Sequence, residues 1–403
     1  MPSGLNTGDS AWALVSFTMV LLMTPGLALF YGGMVRAKNL ISVLYMSFVA
    51  IAVVTVIWFL YGYGLAFGRD VGGAGLLGWS DWSFGTTPST LYGKVPLYVF
   101  SLFQLSFAII TLALISGSVA NRVRLGPWMI LGVVWVTLVY LPIAHWVFSE
   151  GGWLHRWGVL DFAGGLVVEL NSGISGLALA LVLGPSVRFR REGPPQPRNV
   201  PMVMTGMGLL WFGWFGFNGG SAMTDGALAV NAVTNTMMCG CVAMITWMML
   251  ERHRFGRFSR LGGTTGALAG LVAITPACGY VNLLGATIIG IVAAVVCAYA
   301  VEIKTTVGYD DTLDVVGIHG AGGIVGVVLL GLFATGRYGS TTAGVFYGGS
   351  ISLLGKQLVA ILAVGAYSFV LMYLIGKAVD RLFGLRATEN EQTEGLDSEL
   401  RID

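Results

Sequence analysis

Eleven separate stretches of this chain are apolar over about 20 residues, the length that an α-helix needs to cross the hydrocarbon core of a bilayer. Only 10% of the residues are charged, against about 25% in soluble domains. The eighth stretch is the least regular, because Pro276 interrupts it. The sequence therefore predicts an all-α polytopic membrane protein with eleven transmembrane helices, near 9–33, 40–68, 95–119, 127–148, 160–184, 200–220, 226–250, 261–278, 282–303, 312–334 and 352–380.

The placement of Lys and Arg predicts the orientation of the chain. With these spans, seventeen of the 22 basic residues fall on one side, four fall on the other, and Lys356 lies at a span edge. The side richer in Lys and Arg is normally cytoplasmic. We expect an external N-terminus without a cleavable signal, a membrane domain over 1–383 and a cytoplasmic tail over 384–403.

Short similarities between the two halves predict an inverted repeat of five helices each, at about 9–184 and 200–334, followed by a last helix at 352–380. The first span ends in Phe-Tyr-Gly-Gly and the sixth in Phe-Asn-Gly-Gly, while the fifth and tenth each begin with Leu-Asp. Paired spans would run in opposite directions. Repeats of this kind place a substrate path between the two halves, although chance matching of glycine-rich helices is the alternative.

Glu169 and His319 are ionisable residues within predicted spans. Such groups are costly in a bilayer, and by default they face a protein-lined path for ions or protons. Symmetric halves would bring the two side chains together. A carboxylate beside an imidazole favours the imidazolium and provides a site for a proton or a cation. The alternative is a structural pair that fixes helix packing.

Asp161 and Asp314 each stand near a predicted helix start. Asp161 precedes Glu169 by eight positions, a little over two turns, which places both on nearly the same helix face. For both aspartates we favour capping of backbone N–H groups. Asp161 is also positioned to stabilise a nearby cation without touching it.

Aromatic residues concentrate in three spans. Such rings attract cations or narrow a pore into a hydrophobic gate, and a belt at the membrane surface is the alternative. They are Phe103 and Phe107 in the third span, Trp146 and Phe148 in the fourth, and Trp214 and Phe217 in the sixth, close to Ser221.

The sequence gives no sign of an enzyme or of a nucleic-acid-binding protein. We find no nucleophile–base set and no metal-ligand cluster, so no cofactor or metal is expected. No basic stripe interleaves with aromatic residues, which disfavours nucleic acid as a partner.

Five segments in order resemble the ammonium transporter family (the Amt/Mep/Rh superfamily), in its bacterial Amt form. They are 25–33 (PGLALFYGG), 161–165 (DFAGG), 213–221 (GWFGFNGGS), 275–280 (TPACGY) and 314–320 (DVVGIHG). The resemblance covers nearly the whole chain. It implies a homotrimer of eleven-helix subunits in the bacterial inner membrane, surrounded by lipid, each subunit with its own pore for ammonium or ammonia.

The resemblance also implies roles for particular residues. Phe107 and Phe217 would form a paired phenyl gate. Phe148, Phe107 and Ser221 would line an outer recruitment site supported by Asp161, and Trp214 would line the pore beyond the gate. Glu169 and His319 would be the two facing polar residues of the pore.

Three features depart from the family pattern. Most members carry histidine where this chain has Glu169, whose carboxylate would bind ammonium or a proton directly and shift the pH dependence of conduction. The usual tryptophan of the outer site is Phe148, which predicts weaker recruitment unless Trp146 compensates. Segment 394–397 (EGLD) resembles the family's regulatory tail but the tail is short, so a PII-type signalling protein is a candidate partner only.

Two other functions are compatible with the same residues. One is an ammonium sensor that binds its ligand in the pore and signals through the tail. The other is an Rh-like gas channel, which the aromatic outer site and Glu169 disfavour.

Overall fold

A computed structural model of the chain describes residues 4–80, 90–194 and 196–398. Within these residues, ten helices are long and apolar enough to cross a membrane. They are α1 (Thr7–Met34), α2 (Ala37–Phe67), α3 (Leu97–Val119), α4 (Leu125–Trp157), α5 (Gly165–Leu183), α6 (Val200–Gly220), α7 (Ala227–Phe255), α9 (Leu283–Val307), α10 (Val316–Phe333) and α11 (Ser352–Phe383). Residues 399–403 of the predicted tail lie outside the described part.

The eighth predicted span is a shorter helix, α8 (Arg260–Ile274). Ser259 caps its start by accepting a hydrogen bond from the backbone N–H of Gly262. It ends two residues before Pro276, which cannot continue a helix. The membrane-helix class is confirmed, and the count of eleven spans stays a prediction because α8 is shorter than a full crossing requires.

Side-chain caps begin several of the other helices. Asn6 accepts hydrogen bonds from two N–H groups at the start of α1, and Asn282 caps α9 through Gly285. Asn199 caps α6, whose first turn contains Pro201. These asparagines satisfy backbone donors that have no partner within their own helix.

The two halves meet through glycine-lined helix pairs. A methyl group at Gly26 of α1 would lie 2.9 Å from the Leu209 side chain of α6, and one at Gly206 of α6 would lie 2.3 Å from the backbone of Phe30. Backbones this close need glycine at the contact. Helices α1 and α6, predicted to correspond by symmetry, therefore pack directly against each other.

Helices α5 and α10 run in opposite directions. The chain leaving α5 reaches Ser186, whose hydroxyl donates to Asp310 just ahead of α10 (2.7 Å). The end of one helix thus lies beside the start of the other, as an inverted repeat requires.

The part between α2 and α3 departs from the all-helical prediction. It contains two antiparallel pairs, β1 (Arg69–Asp70) with β2 (Gly78–Trp79), and β3 (Leu91–Tyr92) with β4 (Val95–Pro96). Both pairs have two residues per strand, so they shape the loops and leave the helical class unchanged.

The tail folds back on loops of the first repeat. Its short helix (Glu389–Glu394) starts with a capping box formed by Thr388 and Glu391. The Glu391 carboxylate pairs with Arg124 (2.7 Å), and Asp397 accepts hydrogen bonds from the N–H groups of Ile41 and Ser42 (both 2.8 Å). The start of α2 and the loop before α4 are therefore joined through the tail.

Candidate functional site

Asp161 organises the start of α5. Its carboxylate accepts hydrogen bonds from the backbone N–H groups of Gly164 (2.9 Å), Gly165 (2.7 Å) and Leu166 (2.8 Å), with a longer one from Val167 (3.4 Å). The predicted capping role is confirmed. The helix begins at Gly165, so Asp161 lies ahead of it and shares no helix face with Glu169, contrary to the expectation from spacing.

The corresponding cap of α10 is Asp311, not Asp314. The Asp311 carboxylate accepts hydrogen bonds from the N–H groups of Val315 (3.2 Å) and Val316 (2.8 Å). Asp314 instead pairs with Lys304 (2.6 Å), and its backbone is left-handed, with φ of 63°. The cap predicted at Asp314 was wrong because the Leu-Asp similarity used for alignment is three residues out of register. The spacing gives the correct register, since Asp311 precedes His319 by eight positions as Asp161 precedes Glu169.

Both helices open with a π-helical segment, Gly165–Leu170 in α5 and Val316–Gly320 in α10. π-helical segments are rare in proteins, and those that occur are frequently found at functional sites. Here each one carries the ionisable residue, Glu169 in the first and His319 in the second. A π-helical turn is wider than an α-helical turn, so it changes the positions of the Glu169 and His319 side chains relative to their caps. Helix periodicity alone does not predict these positions.

Glycines bring the two helices together at the crossing. A methyl group at Gly173 would lie 2.3 Å from the backbone nitrogen of Gly320, and one at Gly323 would lie 2.9 Å from the backbone nitrogen of Leu170. Gly173 follows Glu169 by four residues, and Gly323 follows His319 by four. The contact is therefore reciprocal, and it sets the distance between the two side chains.

Glu169 and His319 meet at this crossing, as predicted. Oε2 of Glu169 lies 2.6 Å from Nδ1 of His319, and the two residues are 1% and 2% exposed. A contact of this length requires a hydrogen between the two atoms. This hydrogen is either the Nδ1–H of the imidazole or the O–H of a protonated carboxyl group.

A small cavity adjoins this pair, and we call it the Glu–His cavity. It has room for about one water-sized molecule, roughly 10 Å³. The Trp214 ring is part of its wall, and its Nε1 donates to the Thr275 hydroxyl (2.9 Å). Apart from the ionisable pair the wall is apolar, formed by Met23, Leu27, Ile110, Leu114, Val168, Leu210, Trp214, Phe217 and Leu268.

Two stacked rings separate this cavity from a larger one. Phe107 and Phe217 are parallel within 14°, with centroids 4.2 Å apart, and each is 1% exposed. Phe217 lines the Glu–His cavity and Phe107 lines the other. Phe103, one of the aromatic residues singled out in the third span, packs on Phe107 with centroids 4.9 Å apart.

The larger cavity, which we call the aromatic cavity, has a volume of about 210 Å³. It brings together Phe107, Phe148, Asp161 and Ser221, four of the residues predicted for recruitment. The Phe148 ring stands edge-on to Phe107 at 6.4 Å. The Ser221 hydroxyl donates to the carbonyl of Phe217 (2.8 Å), which leaves its oxygen lone pairs as acceptors.

The structure adds residues that sequence reasoning missed. Gln104 lines the aromatic cavity, and its buried Oε1 has no hydrogen-bond partner among the described residues. Gln104 precedes Phe107 by three positions, a spacing that puts both residues on one helix face. This spacing was a signal in the sequence by which Gln104 could have been predicted as a site residue. Phe162 and Tyr280 also line the cavity, in edge-on contact at 5.3 Å.

Trp146 does not line the aromatic cavity. Its indole Nε1 donates to the carbonyl of Leu76 (2.9 Å), and its ring packs on Tyr367 with centroids 4.6 Å apart. Trp146 therefore fixes the loop between α2 and α3, and its position gives no support to the idea that it replaces a tryptophan at 148.

The comparisons with known proteins agree with this geometry. The family model described as "Ammonium Transporter Family" matches residues 11–400. The chain belongs to the ammonium transporter family. An ammonium transporter of Bacillus subtilis is 44% identical, over 98% of this chain and 97% of the relative. One from Mycobacterium tuberculosis is also 44% identical, over 97% and 88% of the two chains.

Solved structures of family members superpose over nearly the whole chain. Mep2 of Saccharomyces cerevisiae gives a TM-score of 0.89 at 35% identity, covering 96% of this chain and 89% of Mep2. A structure described as "Sensor Amt Protein" gives a TM-score of 0.90 at 28% identity, covering 98% of both chains. This ammonium transporter family member is therefore a membrane protein with the family's fold.

Proposed function

We propose that this chain transports ammonium or ammonia along a path from the aromatic cavity, past Phe107 and Phe217, to the Glu–His cavity. The observation that carries the proposal is the buried contact of 2.6 Å between Glu169 and His319 beside a space for one small molecule. Ammonia is close to water in size, so it fits there.

Recruitment of the cation rests on the aromatic cavity. The rings of Phe107 and Phe148 offer π faces to a cation. The Ser221 hydroxyl and the Oε1 of Gln104, which has no partner in the described part of the chain, offer acceptors for N–H groups. Asp161 contributes negative charge from behind its hydrogen-bonded turn. Potassium has no N–H to donate, which is a basis for selectivity.

The stacked phenylalanine rings form the gate. They offer no hydrogen bond, so an ion that passes them loses solvation at a high free-energy cost, whereas neutral ammonia loses less. Transfer past the rings therefore favours ammonia, with the proton left on the recruitment side or carried separately.

Glu169 acts beyond the gate, in the Glu–His cavity. A carboxylate accepts hydrogen bonds at both oxygens when ionised, and it carries negative charge that a histidine lacks. Next to His319 it holds either a proton or an ammonium ion. We expect charged transport, and a pH dependence set by the pair as a unit.

The assembly and setting follow the family. We propose a homotrimer in the bacterial inner membrane, with the N-terminus outside and the tail cytoplasmic. Large apolar side chains on α6 and α7 are exposed in the single chain, Phe212 by 50% and Ile245 by 62%, and either lipid or a second copy would cover them. A PII-type protein is the proposed regulator at the tail.

Current across proteoliposomes tests this function. We expect an ammonium pulse to give a sustained current that potassium does not give. Glu169→Gln removes the charge at similar volume and should abolish the current. Glu302→Gln is the matched control, because Glu302 is an exposed carboxylate paired with Arg254 (2.9 Å) and should leave the current unchanged.

The same recording separates transport from sensing, which the likeness to the sensor protein makes the second candidate. A brief transient without sustained current, together with saturable ammonium binding, would favour the sensor. Full current in Glu169→Gln would contradict the role assigned to the pair.

A further inference from the structure

A small cavity with an excess of positive charge lies between the tail and two loops of the first repeat. Its lining includes Arg36 from the loop before α2, Lys38 from the first turn of α2, and Arg188 from a short helix after α5 (Val187–Glu192). It has space for one or two water-sized molecules, about 20 Å³. We call it the basic cavity. It shares no lining residue with the Glu–His cavity or the aromatic cavity, and it is not part of the path proposed above.

The charges around the basic cavity do not balance. Glu192 is the carboxylate that pairs with this group, with Arg36 at 2.7 Å and with Arg188 at 3.2 Å. The two guanidinium groups lower the pKa of Glu192 below its usual value, so it stays ionised. Three cations line the cavity, and among the described residues Glu192 is the one carboxylate that forms ion pairs with them, which leaves an excess of positive charge.

The other acidic groups nearby are already engaged. Asp310 receives the Ser186 hydroxyl (2.7 Å) and lies 3.5 Å from Arg122. Asp397 is occupied by the N–H groups at the start of α2. Neither carboxylate forms an ion pair with Arg36, Lys38 or Arg188 among the described residues.

One donor of a side chain that lines the cavity has no hydrogen-bond partner among the described residues. Nη1 of Arg188 is shielded from solvent and makes no hydrogen bond within the described part of the chain, although Nε of the same side chain bonds to Glu192 (3.2 Å). A shielded charged donor without an acceptor is costly. An anion in the cavity would satisfy it.

We propose that the basic cavity binds a small inorganic anion, of the chloride or phosphate class, between Arg36, Lys38 and Arg188. The anion stabilises the docked tail, because the tail contributes to the same cavity. Gln392 lines it and accepts a hydrogen bond from the N–H of Val187 (3.1 Å), while the Lys38 ammonium donates to the carbonyl of Thr393. Anion binding and tail docking are thus linked.

Titration of the full-length purified protein tests the proposal without any transport assay. Phosphate and chloride are added separately to protein in a gluconate buffer at constant ionic strength, and the thermal unfolding midpoint and hydrogen exchange of 386–398 are followed. At least one of the two anions should raise the midpoint saturably and slow exchange in the tail.

Two charge-matched variants make the result specific. Arg188→Gln should weaken the apparent affinity at least tenfold, whereas Arg191→Gln, an exposed position on the same short helix, should stay within twofold of the parent. Lys38→Gln replaces Arg188→Gln if the latter does not fold, with the same expected loss. Equal titrations in Arg188→Gln and Arg191→Gln, or no saturable response to either anion, would overturn the proposal.

Discussion

The starts of α5 and α10 are built on the same backbone plan but use different side chains. Each has an aspartate eight residues before the ionisable group and a left-handed residue three residues after that aspartate, Gly164 in one and Asp314 in the other. Glycine adopts this backbone freely, whereas aspartate adopts it at some cost. The first repeat therefore forms the left-handed turn with a glycine. The second forms it with Asp314, which also makes an ion pair with Lys304.

The comparison separates what the crossing needs from what each repeat adds. The aspartate cap, the π-helical segment and the glycine at the contact occur in both repeats, so they serve the geometry. Glu169 and His319 occupy equivalent positions with opposite charge preference, so they serve the chemistry. Substitution of a shared feature should therefore reduce stability in whichever repeat it is made. Substitution of an unshared feature should affect only the repeat that has it.

The largest effect should come from filling the helix contact. Gly173→Ala places a methyl group 2.3 Å from the backbone nitrogen of Gly320, which neither helix can avoid without moving. We expect a loss of about 3 kcal/mol or failure to fold. Gly323→Ala should act in the same direction, and more weakly, because its nearest atom is 2.9 Å away.

Thermal unfolding and yield in detergent would measure this loss. Gly355→Ala in α11 is the control, because nothing lies within 4 Å of the added methyl group and alanine favours a helix. Equal stability of Gly173→Ala and Gly355→Ala would show that the crossing is looser than described.

The stability lost on replacing each aspartate cap should follow the number of backbone N–H groups that donate to it. Asp161→Asn disturbs four N–H contacts, whereas Asp311→Asn disturbs two. We expect losses of about 2 and 1 kcal/mol, since hydrogen bonds to charged acceptors are the stronger ones. Chemical unfolding of both variants would test the order, and a larger loss for Asp311→Asn would reverse our interpretation.

Loss of Lys304 should reduce stability more when Asp314 is present than when Asp314 is replaced by glycine. Lys304→Met removes a buried cation that pairs with Asp314 and donates to the carbonyl of Asp311 (2.7 Å), and we expect a loss of roughly 1–2 kcal/mol. Asp314→Gly in the same chain copies Gly164 of the first repeat and should restore part of it. A double-mutant cycle measures the coupling, and purely additive effects would refute it.

The smallest effect should be the pH response of the tail, which docks on the first repeat. Arg124 and Thr388 lower the pKa of Glu391 to about 2 from its usual 4.5. A lowered pKa means that the contribution to docking is complete above pH 4.5 and is lost as the pH falls towards 2. Since the pair is partly exposed, we expect only about 0.5–1 kcal/mol.

Hydrogen exchange of 386–398 between pH 7 and pH 3 would show this loss after correction for the intrinsic rate. Glu391→Gln should exchange faster at pH 7 and lose the pH step, while Glu394→Gln, on the same helix, should behave like the parent. A pH step that persists in Glu391→Gln would assign the response to another group.

Much of the fold follows from the sequence because long apolar segments leave the backbone few options in a membrane. The starts of the helices are less predictable. The predicted span at 160–184 begins five residues early because Asp161 and the residues after it form a hydrogen-bonded turn, and the apolar residues of this turn continue the composition of the span. The alignment of Asp161 with Asp314 failed for a related reason, since two shared residues are too few to fix a register.

The residues that line the two cavities were predicted in part. Glu169 and His319 stand out because ionisable groups are rare in spans, and the meeting of the two follows from the repeat. The stacking of Phe107 on Phe217 depends on the crossing of α3 and α6, which no local pattern encodes. Gln104 escaped attention because a neutral amide among aromatic residues gives a weak signal.

The stacked rings of Phe107 and Phe217 also matter for the energy balance of the membrane. Protons cross a bilayer readily along an unbroken file of water molecules, and two rings in face-to-face contact leave no place for such a file. On the proposed path, the resting protein is thus insulated. A cell that places many copies of such a protein in its membrane would keep its electrochemical gradient, because leakage would be blocked by hydrocarbon rather than by fixed charge.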